Sequence, residues 1–214
     1  MILENGVIRT LDPGLPTARA LAVAGDRIAG GVGVHETALA SPETIDLGGR
    51  VVVPGLNDAR VFAGDDPRAA LKVAASRGVT AIHALDGLET WAELAASGAL
   101  TLRVWQILPA RAWESLSALG LRPGFGSELL RLGDERPLGD AYASGRTLAD
   151  VDPLRDGAPL EAITVAPAEV VGDARRRGRL LPGYAADLTV LDASESRVVA
   201  TMVAGRWTHN PPPW

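Results

Sequence analysis

The sequence predicts an α/β core with β-rich ends, and three observations predict it. Residues 1–53 hold short apolar, β-branched runs cut by Gly, Asp and Pro, as in a small antiparallel sheet. Residues 54–172 alternate apolar strand-like runs with helical spacing across short connections. That is the pattern of right-handed βα units on a parallel sheet. Residues 178–210 return to short strands.

Taken in order, Val7–Leu11 reads as a strand ended by Asp12-Pro13-Gly14. Ala20–Val23 leads through Ala24-Gly25-Asp26 to a hairpin partner, Arg27–Ala29. Thr44–Leu47 passes through Gly48-Gly49 to Val51–Val53. Pro67–Arg77 has helical spacing with Leu71, Ala74 and Ala75 on one side, and Gly78 ends it. The apolar run Val79–Leu85 is a strand, Leu88–Ala96 a helix closed by Gly98, and Leu100–Leu108 a further strand. Ala110–Leu119 is a helix closed by Gly120, and Leu129–Leu132 a fourth strand. Residues 134–156 show no periodicity and read as a loop. Leu160–Val171 is a helix in which Pro167 predicts a kink or a break into two shorter helices. Ala186–Leu191 and Val198–Arg206 are strands, and Pro211-Pro212-Pro213-Trp214 is an extended tail.

The 214 residues are 47% hydrophobic, enough for a sizeable core in one or two domains. Cysteine is absent, which excludes disulfides, thiolate metal sites and cysteine nucleophiles. No run reaches the ~18 apolar residues of a membrane span, and Met1–Gly6 lacks the features of a signal peptide. A cytoplasmic location is expected. A net charge of −5 argues against nucleic acid as a partner. The basic run Arg175-Arg176-Arg177 reads as a solvated helix end, with an anion site as the minor reading.

Val52-Val53-Pro54-Gly55-Leu56-Asn57-Asp58-Ala59-Arg60-Val61-Phe62 resembles the first barrel strand of the amidohydrolase superfamily, whose usual form is V-x-P-G-x-x-D-x-H-x-H. Gly178-Arg179-Leu180-Leu181-Pro182-Gly183-Tyr184-Ala185-Ala186-Asp187-Leu188 matches the pattern G-x-L-x-P-G-x-x-A-D-L, and Val199–Arg206 is similar to the family's final strand. Gly78–His83, Leu100–Val104 and Leu119–Gly126 resemble the second and third strands of the amidohydrolase-3 type, and Leu160–Ala168 its last barrel helix. The resemblance implies a composite β-sandwich domain built from residues 1–53 and 178–214. Between its halves, residues 54–177 would form a truncated TIM-like (β/α)8 barrel. A full barrel takes ~250 residues, and this stretch holds about four βα units plus the last helix. About half the barrel is missing, including the part that would carry the family's later metal-binding histidines and its catalytic aspartate.

The resemblance also implies a zinc or other divalent metal that activates water and polarises the scissile carbonyl. Arg60 and Phe62 stand where the family has its two first-strand histidines, and neither side chain can ligate. Arg131 aligns with the family's fourth-strand lysine, through Pro137-Leu138-Gly139 as its Leu-Gly turn. The three histidines lie in unrelated contexts: His35 in a Gly-rich loop, His209 near the tail, His83 on the second strand. Carboxylates Asp65, Asp66, Asp134 and Glu135 read mainly as turn residues, the alternative being an all-carboxylate site near the mouth that would suit Mg²⁺ or Ca²⁺. No G-x-S-x-G elbow or phosphate loop is present, and Gly120–Gly126 reads as a turn.

The leading expectation is therefore a degenerate amidohydrolase-like protein, with no metal cofactor, no metal ligands and no confident catalytic residue. A residual pocket near Asp58, Arg60, His83, Asp86 and Arg131 could bind a small anionic molecule, Arg60 and Arg131 together attracting its carboxylate. An active hydrolase of non-peptide C–N bonds with an unusual or shared metal site is the alternative, and a purely structural interaction protein a third. A half barrel leaves two open edges and an apolar face. Either residues 134–172 cover an open sheet, or two copies pair; a homodimer is the favoured expectation.

Overall fold

The computed structural model describes residues 1–29, 43–136 and 146–214. His35 and Pro137-Leu138-Gly139 lie outside the described residues. The described residues form two sheets, one of eight strands drawn from both ends of the chain and one of five from its middle.

In the larger sheet β1 (Ile2–Arg9) pairs antiparallel with β2 (Thr17–Ala24), which turns into β3 (Arg27–Ile28). On its other side β1 runs parallel to β4 (Thr44–Asp46) and β5 (Val51–Pro54). The two ends of the chain meet where β5 pairs antiparallel with β11 (Leu188–Leu191), Val52 opposite Val190. β12 (Val198–Val203) and β13 (Arg206–His209) complete the order. The single strand expected over Val198–Arg206 is thus the start of a hairpin, turned at Ala204-Gly205, both with positive φ.

One face of these strands supplies one core containing Leu3, Ile8, Leu21, Val52, Val190 and Met202. The other face of β5 packs Val51 and Val53 against Leu56 and Ile163. Buried on both faces, β5 is apolar throughout rather than alternating.

The smaller sheet is parallel, in the order β10-β6-β7-β8-β9. Its strands are β6 (Leu56–Phe62), β7 (Val79–Ala84), β8 (Arg103–Leu108), β9 (Leu130–Asp134) and β10 (Arg146–Thr147). Helices α1 (Pro67–Ser76), α2 (Leu88–Ala96) and α3 (Ala110–Ala118) connect them. Asp66 caps α1 by accepting the Ala69 N–H at 3.0 Å, with Pro67 in the first turn where no N–H is needed. Ile82, Ala84 and Val104 turn toward the helices and pack on Leu71, Ala74 and Trp91. Gly55, at the corner from β5 into β6, lies so close to β7 that a Cβ there would sit 2.1 Å from the Thr80 hydroxyl oxygen.

Three expectations change here. The stretch 134–156 contains β10, which sits beside the first strand of the sheet. Only its pairing with Val61 and Phe62 makes those two residues a strand, so no periodicity marks them. Leu160–Val171 divides into a 3-10 turn at Leu160–Ile163 and α4 (Val165–Val170), broken at Thr164. Pro167 occupies the third position of α4, where its missing N–H costs no intrahelical bond. The outer edge of β9 is covered by its own chain. Leu132 donates to the Phe125 carbonyl at 2.9 Å and accepts from the Gly124 N–H at 2.8 Å, and the Ser127 N–H donates to the Leu130 carbonyl. Gly126 at the centre has φ +139°, and a Cβ there would lie 2.2 Å from the Leu130 oxygen. The Gly-rich run is therefore a seal on a sheet edge.

Candidate functional site

The sheet face opposite the helices carries buried polar side chains. Along β7 and β8 the side chains Ala81, His83, Arg103 and Trp105 alternate with the helix-facing ones, and all four are buried. The segment after α4 lies over this face. Asn57, Thr164, Ala168 and Arg177 line a cavity of about 10 Å³ there.

Two ion pairs are built into it. The Arg103 guanidinium donates to both oxygens of Asp187 (Nε–Oδ2 2.6 Å, Nη2–Oδ1 3.0 Å). Asp187 also accepts the Ala204 N–H at 2.8 Å. The fork joins β8 of the parallel sheet to the strand start of β11 in the larger one. It accounts for the acidic residue in Pro182–Leu188. Arg177 donates to Asp173 four residues earlier. The expectation of a solvated Arg175–Arg177 end is corrected: Arg175 is exposed, but Arg177 is 6% exposed and lies over the Trp105 ring. Its charge is held by a buried carboxylate rather than by water.

The five expected site residues lie on β6, β7 and β9 and in the turn after β7. Asp58 and Arg60 are half-buried on β6 beside a bulge, where Asp58 accepts the Arg60 N–H at 3.2 Å. Asp86 is exposed past the end of β7. It accepts the Ala63 N–H at 2.7 Å, while its carbonyl accepts the Trp91 indole N–H. Asp86 thus ties two strand ends together. His83 is fully buried, and neither ring nitrogen has a hydrogen-bond partner. Burial first, and Arg177 second, push its pKa down to about 3, so the imidazole is neutral at physiological pH. Arg131 lies on β9 with its guanidinium over Trp105 and its Nη2 3.6 Å from Glu128. Arg60 and Arg131 lie on strands separated by β7 and β8 in the sheet order.

Sequence reasoning missed Arg103, Glu128, Asp173, Arg177 and Asp187 as a group. Only Asp187, inside a family-like motif, carried a local signal.

No protein-family model matches the sequence, and no curated protein matches it. Solved structures do. A prolidase complexed with N-methylphosphonate-L-proline superposes with a TM-score of 0.67 at 12% identity, covering 98% of this chain and 99% of that one. A putative prolidase from Bifidobacterium longum gives 0.68 at 14% identity, over 100% of this chain and 96% of that one. A mutant atrazine chlorohydrolase from Arthrobacter aurescens, complexed with zinc and atraton, gives 0.66 at 11% identity, over 98% and 95%. The chain has the amidohydrolase fold.

The first-strand positions hold a guanidinium and a phenyl ring. His83 offers a neutral nitrogen, but its electrostatic neighbour is a cation. Among the described residues no three His, Cys, Asp or Glu side chains converge as a ligand set, whereas structural and catalytic zinc sites use three or four. No helix among them is long and apolar enough to cross a membrane.

Proposed function

We propose that this is an amidohydrolase-fold protein without metal-dependent hydrolase activity, whose remaining capacity is to bind. The parallel sheet is a partial (β/α)8 barrel in which β10 takes the last strand's place beside the first. Residues 1–53 and 178–214 form the composite β domain, and 54–177 the partial barrel. The observation that carries the reading is the first strand. The family resemblance places metal-holding histidines at 60 and 62, and Arg60 and Phe62 stand there on β6. Arg177, packed over the face that carries His83, disfavours a second positive charge at the imidazole.

The test is a metal titration of the full chain, read by elemental analysis and thermal melting. Zinc and manganese are expected to bind below a tenth of an equivalent and to leave the melting temperature unchanged. One equivalent that raises the melting temperature, lost in His83→Ala, would overturn the reading.

We further propose a monomer in place of the expected twofold dimer. The apolar face that called for a partner is covered by the chain itself, since Ala81, His83 and Trp105 are each at most 3% exposed. The β9 edge is sealed by residues 124–127.

A further inference from the structure

Glu128 sits in the bend before β9 and is surrounded by guanidinium groups from four parts of the chain. Its Oε1 is 2.7 Å from Arg176 Nη2, 3.6 Å from Arg131 Nη2 and 3.7 Å from Arg27 Nη2. Its Oε2 lies 3.2 Å from Arg103 Nη1. The arginines hold its carboxyl below the usual glutamate range although desolvation opposes them, Arg176 acting most strongly.

One carboxylate oxygen cannot serve three guanidinium groups. Only the Arg176 contact on Oε1 has hydrogen-bond length, and the other two are separations of charge. Charge points the same way. Asp187 neutralises Arg103, and Asp173 neutralises Arg177. Arg27, Arg131 and Arg176 then face Glu128 and Asp26, which lies 3.3 Å from Arg27, while Asp173, 4.0 Å from Arg176, is already held by Arg177. One positive charge is in surplus, on a chain whose net charge is −5. The cluster is reachable from solvent, with the Glu128 side chain 49% exposed and those of Arg27 and Arg176 about a third.

We propose that Arg27, Arg131 and Arg176 form a binding site for a small tetrahedral oxyanion of the phosphate class, which Glu128 partly fills. A phosphate offers several acceptor oxygens in different directions, where Glu128 Oε1 offers one. Guanidinium groups on separate segments can then each make a hydrogen bond of proper length. The site lies at the N-terminal ends of β8 and β9, away from the strand ends where barrel enzymes carry out chemistry. It deepens the binding reading above by naming a ligand class. The metal titration does not involve it, so the two can fail separately.

The experiment is calorimetric titration of the full chain with inorganic phosphate, at ionic strength held constant with sodium chloride. Saturable binding is expected. Arg27→Ala or Arg176→Ala should each weaken it about tenfold, the scale of one charge-assisted hydrogen bond. Arg68→Ala, on the exposed side of α1, should leave it unchanged. Glu128→Gln should tighten it about fivefold, because a like charge is removed. Circular dichroism confirms that each variant is folded, and Glu128→Gln carries the test if an arginine variant is not. Absence of binding to Glu128→Gln at 50-fold molar excess of phosphate would overturn the proposal. So would binding that both arginine variants retain, which would mark an adventitious ion only.

Discussion

Lowering the pH from 7 to 5 should cost the folded chain about 2 kcal/mol through His83 alone. The imidazole has an ordinary pKa of 6.5 in the unfolded chain and about 3 in the fold. Between those values the unfolded state binds a proton that the folded state refuses, so stability falls as the pH falls. The contribution is intact above pH 6.5 and is lost progressively down to about pH 3. At pH 5 the unfolded pKa is 1.5 units above the solution, and each unit is worth about 1.4 kcal/mol. In a chain of this length 1 kcal/mol moves the melting temperature by about 2–4 °C, so the shift is roughly 4–8 °C. Carboxylates also titrate in this range, and the measurement is therefore a difference. Urea unfolding of the native chain and of His83→Leu, followed by tryptophan fluorescence, is compared at pH 7 and pH 5. His83→Leu should lose about 2 kcal/mol less on acidification. It also replaces two buried nitrogens that lack partners, so at pH 7 it should be no less stable than the native chain by more than about 1 kcal/mol. Equal acid losses in the two proteins would refute the reasoning, because His83 would then take up its proton in the fold.

Asp187→Ala strands the buried Arg103 charge and should cost about 3–5 kcal/mol, while the double change Arg103→Met with Asp187→Leu should recover most of it in the same urea assay. Gly55→Ala should cost about 1–3 kcal/mol through its clash with Thr80, and adding Thr80→Ala should relieve part; no relief would mean the close approach is not the cause. Light scattering of the native chain at micromolar concentration should give a monomer. Gly126→Val should unseat residues 124–127 from β9 and produce concentration-dependent association; a monomeric Gly126→Val would show that the seal is dispensable.

The central strands were legible because their runs are long and apolar and their helices end at Gly78, Gly98 and Gly120. The larger sheet was legible only in part: the turns at Gly25 and Gly48-Gly49 marked it, but the strand expected at Val7–Leu11 is β1 at Ile2–Arg9, and it runs parallel, not antiparallel, to β4 and β5. β10 was not, because two residues become a strand only through β6. The β12–β13 hairpin hides inside a valine-rich run whose only break is Gly205. The site was the least legible part. Arg103 and Asp187 are 84 residues apart, and nothing near either announces the other. Arg177 follows two more exposed arginines, and only the carboxylate of Asp173 and the face of the sheet distinguish it. The five residues expected to share a pocket were chosen by alignment to strand positions, whereas convergence depends on which way each strand turns its side chains and what lies over them.

The pairing of β5 with β11 sets a timetable for synthesis. Val51–Pro54 can join β1 as soon as it leaves the ribosome, but its other edge has no partner until Leu188–Leu191 is made. At about 5–20 residues per second, that edge waits on the order of ten seconds. The segment left open is Val-Val-Val-Pro, among the most apolar in the chain. An apolar strand edge left open in this way is of the kind that promotes association with other chains. Expression yield should therefore depend on elongation rate more steeply than the stability of the finished fold suggests.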